Sequence, residues 1–172
     1  MRSMVVAATG SLLLMAGTAA AQPPQWRLTP AGYGPAQIGM TRAQVSSALG
    51  VSLEGEAIED ANTCIEMDAQ STFPGVYFMF VNRRLSRVSL TEPSRVKTPR
   101  GIGIGASEAQ VRRAYPRGLR GEAHEYTGAP ARYLTYWVRS EVSGVRFETD
   151  ARRRVTTIHA GTDSIGYVEG CA

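Results

Sequence analysis

Few residues in this chain could do chemistry, and their spacing limits what they can do. There are two histidines in 172 residues. His124 is followed by Glu125, and His159 lies within Val155-Thr156-Thr157-Ile158-His159-Ala160. An imidazole beside a carboxylate is the raw material of a general base and its orienting acid. Adjacent residues of an extended segment point to opposite faces, so His124 and Glu125 are not expected to meet, and His124 reads as a solvated residue of a turn or edge strand. His159 is better placed, but no nucleophile is fixed beside it, so it suggests a pH-sensitive contact rather than catalysis. Gly101-Ile102-Gly103-Ile104-Gly105 has phosphate-loop glycines but lacks the Lys-Ser/Thr of a P-loop. Asp150-Ala151-Arg152 lacks the acidic density of a calcium loop.

Two cysteines remain, Cys64 and Cys171. Cysteines and histidines so far apart lack metal-ligand spacing, and no metal or other cofactor is expected. An even cysteine count in an oxidising compartment favours a disulfide. It would close a loop of about a hundred residues and pin the C-terminal tail onto the first half of the chain.

The N-terminus supplies that compartment. Arg2 precedes a mostly apolar run, Val5 to Met15, too short to span a bilayer comfortably, and Ala19-Ala20-Ala21 resembles a cleavage site before Gln22. Residues 1–21 are therefore expected to be a signal peptide, and the mature chain periplasmic or secreted. No cysteine stands at the cleavage site for lipid attachment, and no later run is long and apolar enough to form an integral membrane segment. The formal charge is +4. Arginines cluster at Arg83-Arg84, Arg112-Arg113 and Arg152-Arg153-Arg154, and most are expected on solvated faces and turns. An exported protein is not expected to meet nucleic acid.

The elements that must position these residues are set by a stretch used twice. Ile38-Gly39-Met40-Thr41-Arg42-Ala43-Gln44-Val45-Ser46-Ser47-Ala48 returns as Ile104-Gly105-Ala106-Ser107-Glu108-Ala109-Gln110-Val111-Arg112-Arg113-Ala114. Thr41 and Ser107 each stand three residues before a glutamine, the pattern of a capping box. Val45, Ala48, Leu49 and Val111, Ala114, Tyr115 then form an apolar stripe on each helix. Strand-like segments follow each helix: Thr63 to Asp68, Val76 to Val81 and Leu85 to Leu90 in the first half, Arg132 to Val138, Gly144 to Thr149 and Val155 to Ala160 in the second. Glu122 to Tyr126 is a candidate edge strand. The expected fold class is α+β. Two tandem helix-plus-antiparallel-meander repeats, residues 22–95 and 96–172, form one compact unit with both helices packed on one face of the sheet or sheets.

The segments Ile-Gly-Met-Thr-x-x-Gln-Val and Ile-Gly-x-Ser-x-x-Gln-Val, each ahead of a sheet, resemble the tandem unit of the β-lactamase-inhibitor protein family. They are also similar to the single unit of outer-membrane assembly lipoproteins of the SmpA/OmlA (BamE) type. The resemblance implies enzyme inhibition or a role in envelope assembly. This chain departs from both patterns: it has no lipid-attachment cysteine, and too few cysteines for one disulfide per repeat.

Strand alternation assigns the two faces. With Val76, Phe78, Phe80, Val145 and Phe147 packed inward, the other face gathers Glu66, Tyr77, Met79, Arg87, Tyr133, Trp137, Arg146, Glu148 and His159. Aromatic residues and arginine are enriched at interface hot spots. This face is expected to stay open and to bind a protein or other envelope component, without catalysis. A loop or the Glu122–Tyr126 strand half-burying Tyr133 and Trp137 is the alternative. A structural or assembly factor of the bacterial envelope is a second functional reading. An enzyme on envelope polymers, the third, needs a cluster such as Glu148 with His159.

Overall fold

The computed structural model describes residues 25–55, 63–139 and 142–171. The expected signal peptide, residues 1–21, lies outside the described residues.

Both capping boxes form. Thr41 Oγ1 accepts from the Gln44 amide at 3.3 Å and Gln44 Oε1 accepts from the Thr41 amide at 2.9 Å. Ser107 and Gln110 repeat the pair at 3.3 and 2.8 Å. They start helix α1, Arg42–Leu49, and helix α2, Glu108–Ala114. Gly50 ends α1 in the left-handed conformation, φ 70°, donating its amide to the Ser46 carbonyl. Val45 and Leu49 of α1 are buried, as are Val111 and the following Tyr115.

Antiparallel sheet is the main regular structure of the described residues. Strands β1, Leu28–Thr29, β2, Gly32–Tyr33, and β3, Ala36–Gln37, make a small three-stranded sheet. The large sheet comprises β4, Cys64–Asp68; β5, Val76–Val81; β6, Arg84–Leu90; β7, Leu119–Ala123; β8, Arg132–Arg139; β9, Ser143–Thr149; and β10, Val155–Gly161. Its order is β4-β5-β6-β10-β9-β8-β7, so the two meanders join through their last strands, with Val88 opposite Ala160 and Ser89 opposite His159. The β5–β6 hairpin turns on Asn82 and Arg83, both at positive φ, the geometry that matches the right-handed twist of paired strands.

This architecture corrects the expected α+β arrangement. Sheets of three and seven strands dominate, and the two helices, of eight and seven residues, are too short to form a layer over them. A capping box fixes where a helix begins but says nothing about its length, and Gly50 and Pro116 stop each one after about two turns. The small sheet lies just ahead of α1 in the chain. Its Leu28, Tyr33 and Ala36 join Val45, Leu49, Leu53, Ile102 and Val111 in covering the apolar face of the large sheet. That face presents Met67, Val76, Phe78, Phe80, Val88, Leu90, Leu134, Val145, Phe147, Ile158 and Ala160 to the core.

Candidate functional site

The opposite face of the large sheet carries nearly all the chemistry in the chain. Strand register arranges it in rows across the sheet. One row runs Met79, Arg87, Gly161, Gly144, Trp137 over β5, β6, β10, β9 and β8. The next runs Tyr77, Ser89, His159, Arg146, Thr135, and the third places Thr157 beside Glu148 beside Tyr133 beside Glu122.

The first row explains how this face is covered. Two large side chains flank two glycines, which leaves a trough in the middle. A Cβ at Gly161, φ 150°, would fall 2.1 Å from the Ser86 carbonyl, and one at Gly144 would fall 3.1 Å from the Ile165 side chain. The trough receives the C-terminal segment. Thr162 caps a single-turn 3-10 helix, Asp163–Gly166, and Ile165 is fully buried against the sheet. Ser86 Oγ meets Thr162 Oγ1 at 2.6 Å and Ser164 Oγ at 2.7 Å. Arg87 donates through one terminal nitrogen to the carbonyls of Ser164, 3.0 Å, and Tyr167, 2.9 Å. The chain then crosses to β4, where Cys171 is bonded to Cys64, 107 residues away in sequence. Residues 162–171 form a strap over the polar face.

Arg87 is an interior cation. Its other terminal nitrogen lies 3.5 Å from Glu66 Oε1, and its Nε is buried without a protein acceptor. Burial pulls its pKa below the usual arginine value, opposed by the neighbouring Glu66. Beside it, the Ser89 hydroxyl stands 2.8 Å from His159 Nδ1, and His159 Nε2 stands 3.1 Å from Glu148 Oε1. Burial lowers the His159 pKa, with Glu148 opposing and Arg87 reinforcing. For Glu148, burial alone would raise the pKa, but the hydrogen bond and charge of His159, with His124 and Arg146, bring it net below the ordinary value. At neutral pH, the neutral imidazole therefore donates from Nε2 to Glu148 and accepts at Nδ1 from Ser89. Arg146 completes the network: it donates to Thr135 Oγ1 at 3.1 Å, pairs with Glu122 at 3.6 Å and lies 4.7 Å from the Tyr133 ring centroid.

The structure places Glu66, Tyr77, Met79, Arg87, Tyr133, Trp137, Arg146, Glu148 and His159 on one face, as alternation predicts. That face is not open. Met79 is 0% exposed, Arg87 2%, Tyr133 5% and His159 8%. Alternation reports which side of a sheet a residue occupies; it carries no information on a distant segment folding back over it. His124 is the other correction. It is not a solvated turn residue but stacks on Tyr133, with 4.5 Å between ring centroids, and its Nε2 approaches Glu148 Oε2 at 3.9 Å. It meets a carboxylate after all, on β9 and not next door in sequence. Sequence reasoning missed Ser89, Gly144, Gly161 and Ile165. The available signal was Gly161 followed by Thr162-Asp163-Ser164, a capping pattern after a β-strand, just before the tethered Cys171.

What stays accessible is two recesses flanking the strap. One, about 420 Å³, has Glu66, Glu148 and Glu169 on its wall with Tyr77 and Tyr167, against the single guanidinium of Arg87. The other, about 450 Å³, has Glu122 and Glu125 against Arg146, with Tyr133 at its base. The guanidiniums are committed beneath, while Glu66 and Glu122 reach solvent: side-chain exposure is 36% for Glu66 and 64% for Glu122, but 3% for Arg87, 12% for Arg146 and 17% for the His159-bound Glu148. Among the described residues no group of three or more His, Cys, Asp and Glu side chains could hold a metal ion, and no helix is long and apolar enough to cross a membrane.

No family model matches the chain, and no curated protein or solved structure matches it either.

Proposed function

We propose that this chain is an exported, non-enzymatic binding protein that takes a cationic group of a protein partner, a lysine or arginine side chain, into the recesses beside its C-terminal strap. One observation carries the reading. On a chain of formal charge +4, the recesses beside the strap are lined by carboxylates and tyrosines, with Arg87 and Arg146, the arginines that line them, committed beneath. Carboxylates accept hydrogen bonds from ammonium and guanidinium groups, and a tyrosine ring attracts a cation at its face. The Cys64–Cys171 bridge supports an oxidising compartment, in agreement with the signal-like N-terminus.

The Ser89–His159–Glu148 relay favours a second reading, acyl transfer on an envelope polymer. Its proton order is that of a serine activated by an imidazole held by a carboxylate. Two features weigh against it. Ser89 is 3% exposed, and it sits in mid-strand, paired with Tyr77 on one side and His159 on the other. Backbone amides committed to ladders leave no free donor pair for an oxyanion.

Both readings are decided by experiments on the folded protein. A photo-crosslinking residue at Tyr167, 43% exposed, should capture a partner in the native envelope, and Glu66→Gln with Glu169→Gln should reduce that capture several-fold. Undiminished capture by the correctly folded double variant would sink the cation-binding proposal. A serine-reactive fluorophosphonate that labels the parent chain but not Ser89→Ala would replace it with the hydrolytic reading.

A further inference from the structure

A second site lies on the far side of the molecule, where the small sheet meets the β4–β5 connection. Here a groove of about 680 Å³ is floored by Trp26, Tyr33, Phe73, Val76 and Val96 and edged by Arg27, Arg95 and Lys97. The volume falls within the range of small-molecule sites. Its floor is locked in place. A Cβ at Gly34, φ 53°, would fall 2.5 Å from the Trp26 indole, so only glycine lets the indole lie down there. Trp26 meets Tyr33 edge-on at 5.5 Å between centroids and Phe73 at 5.6 Å, while Tyr33 meets Phe73 edge-on at 5.8 Å.

The three cations share one edge. Arg27 and Lys97 are bridge partners in a parallel backbone pairing, secured by the Leu28 amide donating to the Lys97 carbonyl at 3.2 Å. Arg95 is two residues before Lys97, and all three side chains are exposed. Among the described residues, no carboxylate lines the groove and none pairs with these cations. That is the inverse of the strap recesses, where carboxylates face solvent and arginines are spent.

We propose that this groove binds a single-chain anionic amphiphile, its apolar tail along the Trp26–Phe73–Val96 floor and its anionic head at Arg27, Arg95 and Lys97. The ring geometry selects a tail over a flat aromatic guest. Rings inclined at 85° and 82° to each other leave no parallel slot for a planar molecule, whereas a methylene chain packs against ring edges and faces alike. The charge selects the head. An anionic head at this edge finds three cations that no described carboxylate pairs, whereas a cationic head at the same edge meets like charge.

The test uses Trp137→Phe, which leaves Trp26 as the sole tryptophan. Dodecanoate, kept below its micellar concentration, should shift Trp26 emission saturably, and dodecyltrimethylammonium, with the same tail and opposite charge, should not. Arg27→Gln, Arg95→Gln and Lys97→Gln together should weaken dodecanoate binding about tenfold, as expected for losing a few exposed charge contacts. Raised salt should weaken it in the same direction. The substitutions are on exposed side chains, so circular dichroism of the variant should match the parent. The proposal is overturned by equal affinity for the two amphiphiles, by undiminished affinity in the triple variant, or by no saturable response at all.

Discussion

The two faces of the seven-stranded sheet use the same strands and opposite chemistry. One carries Val76, Phe78, Leu90, Phe147 and Ile158, all with 0–1% exposure, under a cover of small sheet, short helices and loops. The other, offset by one residue along each strand, carries Tyr77, Ser89, Arg146 and His159 under the strap. The apolar face needs only shape and volume, because dispersion and burial are non-directional. The polar face needs each donor matched to an acceptor, because an orphaned buried polar group costs about 1–3 kcal/mol. The polar face is buried chiefly beneath the strap, and there it is held by addressed hydrogen bonds, two glycines and a disulfide where the apolar face is held by packing.

That comparison can be broken at three points. The largest effect is expected on the apolar face, where Phe147→Ala should cost about 3–5 kcal/mol in urea unfolding without altering the dependence of stability on pH. A loss under about 1 kcal/mol would show that this face is not closely packed.

Removing the strap's tether should cost less and act on one face alone. Cys64→Ser with Cys171→Ser, closing no loop of 107 residues, should lose about 2–4 kcal/mol. Hydrogen exchange should then rise at Ile165 and Tyr167 well before it rises at Phe78. Equal loss of protection at all three would mean that the strap is not a separable cover.

The smallest effect sharpens the contrast through pH. The folded pKa of His159 lies below its ordinary 6.5, so between those two values the unfolded chain binds more protons than the folded one. Stability from this site is fully present above about pH 6.5 and declines as pH falls through that window. The charges around His159 are Glu148, Glu66, Arg87, Arg146 and His124; the depressed Glu148 pKa extends the decline in the same direction to lower pH. His159→Gln should cost roughly 1–3 kcal/mol at pH 7 and flatten the upper part of the decline. An unchanged slope between pH 7 and 5 would remove His159 as its source.

Sequence reading located much of this at short range. Thr41 and Gln44, or Ser107 and Gln110, are three residues apart, and a capping box closes within one turn whatever surrounds it. The inward placement of Val76, Phe78 and Phe80 follows from the two-residue period of a strand. Gly50 and Pro116 mark the two helix ends just as locally, whereas the ten residues of the small sheet hold no periodicity long enough to reveal three two-residue strands.

For the candidate site the same division holds. Residue order alone determined that Arg87, Arg146, Glu148 and His159 share a face, because alternation needs nothing beyond the strand itself, and cysteine count pointed to Cys64 with Cys171. Only the tertiary structure decided that the face is covered. Ser89 meets His159 across 70 residues, His124 meets Glu148 from beyond the end of β7, Gly144 makes room for Ile165, and Gly161 lets β10 lie against the Ser86 carbonyl. Each of those contacts depends on which strands are neighbours and in what register, and that choice is made by the whole core at once.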